Sequence, residues 1–313
     1  MIGRVTQQTI QRSTLANLQT NLAAMSNLQN RASGSSMITK PSDDPAGTAK
    51  AIALRASLNA NDQASRNIDD GNGWLTTADT ALQSSVNLVR QARDLTVQGS
   101  NTGALNKEGR VAIAVQIEGI RNDLLSQANT KYQGRLIFAG TSNAAGAVAV
   151  SAGQPASYTS NAVLGATVDR RVDTNTTIRV DVDGSKVFGP VVATDTQPIA
   201  SDSVFATLDR IAVALRADPQ VASDVSKELT TLDAHRDKML NELSGVGARQ
   251  TQILSAQTRA LDTKTTLTVQ LGAIEDVDLA KTLMDLQTQE VTYKAALGAA
   301  ARVMQPTLLD FLR

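Results

Sequence analysis

The sequence predicts a mainly α-helical fold: long antiparallel helices, a coiled coil formed by the N- and C-terminal regions, and a small inserted β domain. Three observations predict it. Apolar residues return at alternating steps of three and four over most of the chain, as they do on the buried stripe of a coiled-coil helix. Residues 141–200 break that period and become rich in Gly, Ser, Thr and Val. Aromatic residues are only 3% of 313, so cores must be built from Leu, Val, Ile and Ala, side chains that suit interdigitating helices.

The composition also excludes several functions. Thirty basic and thirty acidic residues cancel, so no net field draws the chain to nucleic acid or a membrane. There is no cysteine, which removes disulfides and thiolate metal sites. His235 is the single histidine; it lies one residue off the apolar stripe of its helix and reads as an exposed residue. The N-terminus lacks the apolar core of a secretory signal. No apolar run approaches membrane-spanning length. The default is cytosolic, with a non-classical export route left open. Charge is uneven: Arg4, Arg12, Arg31 and Lys40 precede the first acid, Asp43, while 276–313 carries Asp276, Asp278, Asp285, Glu290 and Asp310. This reads either as solvated faces or as attraction between the two ends.

The elements follow in order. Residues 1–40 open with a helix from Ile2 to about Ser33, on which Leu15, Leu18, Leu22 and Met25 form a narrow stripe. A helix this polar is marginal alone. Gly34, Ser35 and Ser36 end it. Residues 41–140 form the first half of a helical rod. Pro41-Ser42-Asp43-Asp44-Pro45-Ala46-Gly47 punctuates its start, and Asp44 can cap a helix beginning at Pro45. That helix runs to about Gly99, with Leu75, Ala78, Leu82, Ser85, Val89 and Ala92 on one face. Asp70-Gly71-Asn72-Gly73 is expected to loosen it. Asn106 caps the next helix, striped by Ile113, Ile117, Ile120 and Leu124. Tyr132 to Gly140 is strand-like with glycine at the bends.

Residues 141–200 are read as the inserted β domain. Ile178, Val180 and Val182 alternate with Arg179 and Asp181, a half-buried strand. Asp183-Gly184 signals a tight hairpin, with Lys186, Val187 and Phe188 returning. The same aspartates lack the further acceptors of a calcium loop. Residues 201–275 form the second half of the rod. Ser203 caps a short helix, and Asp218-Pro219 starts the longest one, whose stripe runs Val225, Leu229, Leu232, Met239, Leu243, Val246, Ile253, Leu267, Leu271 and Ile274. Residues 276–313 form a C-terminal coiled-coil helix. Leu279, Leu283, Leu286, Tyr293, Leu297, Ala300 and Met304 make its seam. At about 1.5 Å per residue it would be roughly 55 Å long. It cannot bury that seam against itself, and residues 1–40 are the natural cover.

No phosphate loop, nucleophile elbow or paired-histidine helix is present. Asp69 and Asp70 read as solvated helix surface, because adjacent residues point to different faces. Catalysis is not expected, and neither is a cofactor or a metal.

The motif Arg31-Ala32-Ser33-Gly34-Ser35-Ser36-Met37-Ile38-Thr39-Lys40-Pro41-Ser42-Asp43-Asp44-Pro45-Ala46-Gly47 resembles that of the flagellin superfamily. Asn67–Leu75, Ala78–Gly99, Tyr132–Gly140 and Ala300–Leu312 continue the likeness, which spans most of 1–140 and 201–313. Pro41 and Pro45, with Gly3-Arg4-Val5-Thr6 and Leu308-Leu309-Asp310-Phe311-Leu312, are more similar to the branch that joins hook to filament than to filament flagellins. Pro306 departs from the continuous terminal helix of the family. The resemblance implies a structural subunit of the bacterial flagellum, exported through the flagellar apparatus and located outside the cell. Its implied partners are hook-associated protein 1 and flagellin, further copies in a ring, and an export chaperone on the C-terminal region. Leu15, Leu18, Leu22 and Met25, with Leu283, Leu286, Leu297, Met304, Leu308 and Phe311, are then the expected assembly residues. Pro41, Ser42, Asp43, Asp44, Pro45 and Gly47 are the family motif. Too little apolar surface at the ends implies termini that are loose in the monomer and order on assembly. The alternatives are a filament flagellin, a signalling or adhesive coiled-coil protein and, weakest, an enzyme with its site in the β insert.

Overall fold

The computed structural model describes residues 7–34, 36–38, 40–101, 105–151, 157–162, 165–189, 203–218 and 222–303. Its helices are α1 (Gln7–Gly34), α2 (Pro45–Ser100), α3 (Lys107–Ala128), α4 (Gly184–Phe188), α5 (Val204–Arg216), α6 (Ala222–Glu275) and α7 (Leu279–Val303). Its strands are β1 (Lys131–Tyr132), β2 (Arg135–Leu136), β3 (Val148–Ser151), β4 (Ser157–Ser160), β5 (Asp169–Arg171) and β6 (Thr177–Arg179). The mainly helical class is borne out. Two compact units divide the chain: residues 1–60 with 262–313, and residues 61–261.

The second unit holds the large core. Caps set where its helices begin. The Asn106 side chain accepts from the Gly109 N–H, and the Ser203 hydroxyl from the Ala206 N–H, so each satisfies a donor that has no intrahelical partner. The α2 stripe Leu75, Ala78, Leu82, Ser85, Val89 and Ala92 is buried, as are Ile113, Ile117, Ile120 and Leu124 of α3. Along α6, Val225, Leu232, Met239, Val246 and Ile253 are buried at steps of seven. Buried Arg110 directs its guanidinium to the Leu105, Leu215 and Ala217 carbonyls, which holds the end of α5.

The β region forms three separate antiparallel pairs, β1–β2, β3–β4 and β5–β6. Its apolar residues join the helical core. Three of the four phenylalanines meet there. Phe138 lies edge-on to Phe188 at 5.2 Å, Phe188 stacks on Phe205 at 5.6 Å, and Tyr158 stacks on the other side of the group at 5.3 Å from Phe205. The Tyr158 hydroxyl donates to Asp209 Oδ2 at 2.5 Å, and Arg121 pairs with the same carboxylate. Burial, with that hydrogen bond, pushes the Tyr158 pKa up.

Four sequence expectations are corrected. Asp183-Gly184 is no hairpin. The Asp183 side chain accepts from the Ser185 N–H and caps α4, and Val187 and Phe188 are buried on that helix. Asp181 is buried, not solvated: its carboxylate takes the Val168 N–H and two bonds from Arg179, each 2.9 Å. His235 is buried at 1% exposure, because the second inward column of α6 passes through His235 and Ala256. Finally, α2 is uninterrupted through Asp70-Gly71-Asn72-Gly73 and, at 56 residues against 54, is longer than α6.

Gly71 and Gly73 serve close approach instead. A Cβ on Gly71 would lie 2.9 Å from Ile253 Cδ1, and one on Gly73 would lie 2.2 Å from the Tyr132 hydroxyl. Beside them Arg170 pairs with Asp70 at 2.6 Å and lies 5.7 Å over the Trp74 ring. Tyr132 meets Trp74 edge-on at 5.8 Å. The glycines therefore form a slot that admits Tyr132 and the β5–β6 pair onto α2.

At Gly119 of α3 a Cβ would meet nothing within 4 Å, so Gly119→Ala is expected to stabilise by about 0.5–1 kcal/mol through helix propensity. Gly73→Ala is expected to destabilise, because overpacking by about 1–3 kcal/mol outweighs the same gain. Urea midpoints should move in opposite directions. Fluorescence of the single tryptophan should change only in Gly73→Ala, where Tyr132 is displaced.

Candidate assembly surface

In the first unit, α7 returns antiparallel along α1, and the two helices pack together. Partly covered residues define the contact. On α1 they recur as Thr14, Leu18, Asn21, Met25 and Leu28, and on α7 as Thr282, Leu286, Gln289, Tyr293, Ala296 and Ala300. Both series alternate steps of four and three. Gln289 Nε2 donates to the Asn21 carbonyl and side-chain oxygens at 3.3 Å. Residues 7–34 and 279–303 are thus paired helices within one chain, with α1 covering α7 as its seam required.

The pairing divides the expected assembly residues into two groups. Leu18, Met25 and Leu286 lie on the covered stripe. Leu15 and Leu22, seven residues apart on α1, remain about half exposed, at 52% and 48%. On α7, Leu283 and Leu297, two heptads apart, remain exposed at 51% and 43%. Met304, Pro306, Leu308 and Phe311 lie outside the described residues. Met284 and Val291 are still more exposed than these leucines. Sequence reasoning missed them because it followed one seam, although their seven-residue spacing was there to be read. The exposed columns Leu15/Leu22, Leu283/Leu297 and Met284/Val291 are the candidate surface.

A tight elbow holds the helix starts. Ser36 bridges Asp276, and the Met37 N–H donates to the Glu275 carbonyl at 2.7 Å. Pro41, Ser42 and Asp43 form an exposed turn, in which the Asp43 carboxylate accepts from the Lys40 N–H at 3.0 Å. Asp44 caps α2: its Oδ1 accepts the Gly47 N–H at 2.9 Å, with Pro45 as the first helical residue. Gly47 is buried beneath that carboxylate, and a Cβ there would lie 2.3 Å from Asp44 Oδ2. The family motif is therefore a helix-start device. Opposite, Asp278 accepts the Lys281 N–H at 3.1 Å at the start of α7. Arg55 pairs with Glu275 at 2.8 Å.

This arrangement offers apolar contact. Among the described residues no group of three His, Cys, Asp or Glu could hold a metal, and no helix is long and apolar enough to cross a membrane.

Residues 5–143 match the family model described as the bacterial flagellin N-terminal helical region. The resemblance first visible at Arg31–Gly47 is borne out. The chain is 25% identical over 276 residues to flagellar hook-associated protein 3 of Escherichia coli, covering 84% of each. It is also 25% identical over 313 residues to a flagellin of Bacillus subtilis, covering 96% of this chain and 97% of that one. A solved flagellar hook-associated protein 3 from Legionella pneumophila superposes with a TM-score of 0.60 at 17% identity. It covers 71% of this chain and 98% of its own, which shows a shared fold.

Removing the cap in Asp44→Ala is expected to cost about 1 kcal/mol. Amide exchange at Gly47 should then quicken about fivefold or more. Asp44→Asn, an equally good cap, should restore it. Unchanged exchange in Asp44→Ala would remove the capping role.

Proposed function

We propose that this protein is a structural subunit of the bacterial flagellum that joins the hook to the flagellin filament, without catalysis. The observation that carries the reading is the pair of terminal helices, which covers one apolar stripe and leaves Leu15, Leu22, Leu283, Leu297, Met284 and Val291 to solvent. In water such columns gain by packing against further helices, at roughly 25 cal/mol per Å² of apolar surface buried. Relatedness to hook-associated protein 3 supports the junction position. The contact is head-to-tail between copies in a ring, with hook-associated protein 1 on one side and flagellin on the other. Before assembly an export chaperone covers the C-terminal region, and the subunit acts outside the cell. The expected divisions 1–40, 41–140, 141–200, 201–275 and 276–313 belong to the same proposal, with 1–40 and 276–313 as the assembly ends.

The full-length similarity to a Bacillus flagellin favours a second reading, a filament subunit. Two experiments separate the readings. In a deletion strain viewed by electron microscopy, hooks should remain while flagellin is shed into the medium; filaments of normal length would overturn the junction role. The purified protein should form no long polymer alone, and micrometre filaments would favour the flagellin reading.

The exposed columns can be tested directly with the double substitution Leu22→Ser, Leu283→Ser. Because both side chains are half exposed, monomer stability should fall by little, within about 1 kcal/mol. Incorporation into flagella, read by immunoelectron microscopy, should be lost. Full incorporation would show that these columns are not the contact.

A further inference from the structure

Eight of the fourteen arginines in residues 61–261 pair with a carboxylate among the described residues. Arg93, Arg121, Arg170, Arg179, Arg210 and Arg216 each make an ion pair. Arg249, half-buried, does not. Its Nε donates to the Gly245 carbonyl at 3.1 Å and Nη1 to the Asp181 carbonyl at 2.7 Å, both neutral acceptors. Glu242 and Arg249 also stand in an unusual place. They continue at steps of seven the inward column of α6 that contains buried His235 and Ala256. Charged groups at such positions cost free energy unless they are matched.

A cavity of about 250 Å³ opens there, lined by Arg179, Asp181, Asp183, Lys186, Glu242 and Arg249. Its charges can be accounted for. Arg179 and Asp181 satisfy each other through two bonds, and Asp181 also holds the Val168 N–H. Asp183 accepts from the Ser185 N–H and hydroxyl, both neutral donors, so its charge is not cancelled by an ion pair among the described residues. Arg249 and Lys186 remain as cations not neutralised by an ion pair among the described residues. Glu242 remains as a carboxylate that makes no hydrogen bond among them. Burial lowers the pKa of Arg249, and the nearby Glu242 opposes that shift. A metal is disfavoured, since no three carboxylate or imidazole ligands converge among the described residues.

We propose that this cavity binds a small oxyanion, a carboxylate or a phosphate, between Arg249 and Lys186. With Nε and Nη1 held by carbonyls, the guanidinium offers its remaining Nη2 donors and its charge, and the ammonium a flexible point charge, a pair that suits an oxyanion. The volume holds one such anion with a few waters, each taking about 30 Å³. Glu242 and Asp183 weaken the site by like-charge repulsion, and Glu242, free of the helix cap that Asp183 forms, fixes the sign of a control. The source is either a free anion or a carboxylate side chain presented by a neighbouring protein.

The experiment is thermal unfolding of the full chain in sodium phosphate and in sodium acetate, against sodium chloride at equal ionic strength. A ligand bound only by the folded state raises the midpoint saturably. A rise with either anion supports the proposal: phosphate alone points to a free phosphate, and acetate as well points to a carboxylate pocket. Arg249→Met should weaken binding about tenfold or more, the value of a charge-assisted hydrogen bond. Lys186→Gln, at an exposed position that leaves the fold intact, should weaken it too. Glu242→Gln should tighten it. The proposal is overturned by no saturable rise over chloride into the tens of millimolar. It is equally overturned if Lys186→Gln binds like wild type or if Glu242→Gln loses binding.

Discussion

The contact between α1 and α7 is narrow, and much of the rest of the molecule makes sense in its light. Each helix carries enough apolar residues for about two columns, but two helices facing each other can cover only one column apiece. Leu18, Met25, Leu286 and Tyr293 take the covered positions, and Leu15, Leu22, Leu283 and Leu297 are left outside. The stripe itself is diluted by Thr14, Asn21, Thr282 and Gln289. Polar residues in a seam specify register at a cost in stability. The Gln289–Asn21 bonds and the Ser36–Asp276 bridge set that register, so the exposed columns are displayed in a defined order.

The second unit is built on the opposite principle. Its apolar stripes are largely buried, its few aromatic rings are concentrated where the β pairs meet α5, and eight of its fourteen arginines are tied to carboxylates. Gly71 and Gly73 bring Tyr132 and the β5–β6 pair close to α2, so the irregular segment and the helices share a single core. A unit of this kind holds its shape through its own core. The terminal helices instead leave apolar columns at Leu15, Leu22, Leu283 and Leu297 exposed.

Regular periodicity was readable because each long helix repeats its signal many times. The stripes at Leu75–Ala92, Ile113–Leu124 and Val225–Ile253 follow from spacing, and the Asp44, Asn106 and Ser203 caps follow from local chemistry. Short signals failed. Asp183-Gly184 is equally good as a hairpin turn or as a helix cap, and only the burial of Val187 and Phe188 chooses the cap. Gly71 and Gly73 read as weak points because their partners, Ile253 and Tyr132, are remote in sequence. His235 was misplaced because a heptad has two inward columns, and one residue of rotation exchanges polar for buried.

The sequence by itself settled the mainly helical class, the positions of most helices and their caps, and the flagellin-type motif, since these depend on neighbours within a few residues. It also settled that the C-terminal helix has an apolar seam in need of cover. Which column of that seam α1 covers, and which leucines remain outside, was decided only by tertiary packing. A helix can rotate about its axis at little local cost. The choice therefore rests on the fit between two surfaces more than 200 residues apart along the chain.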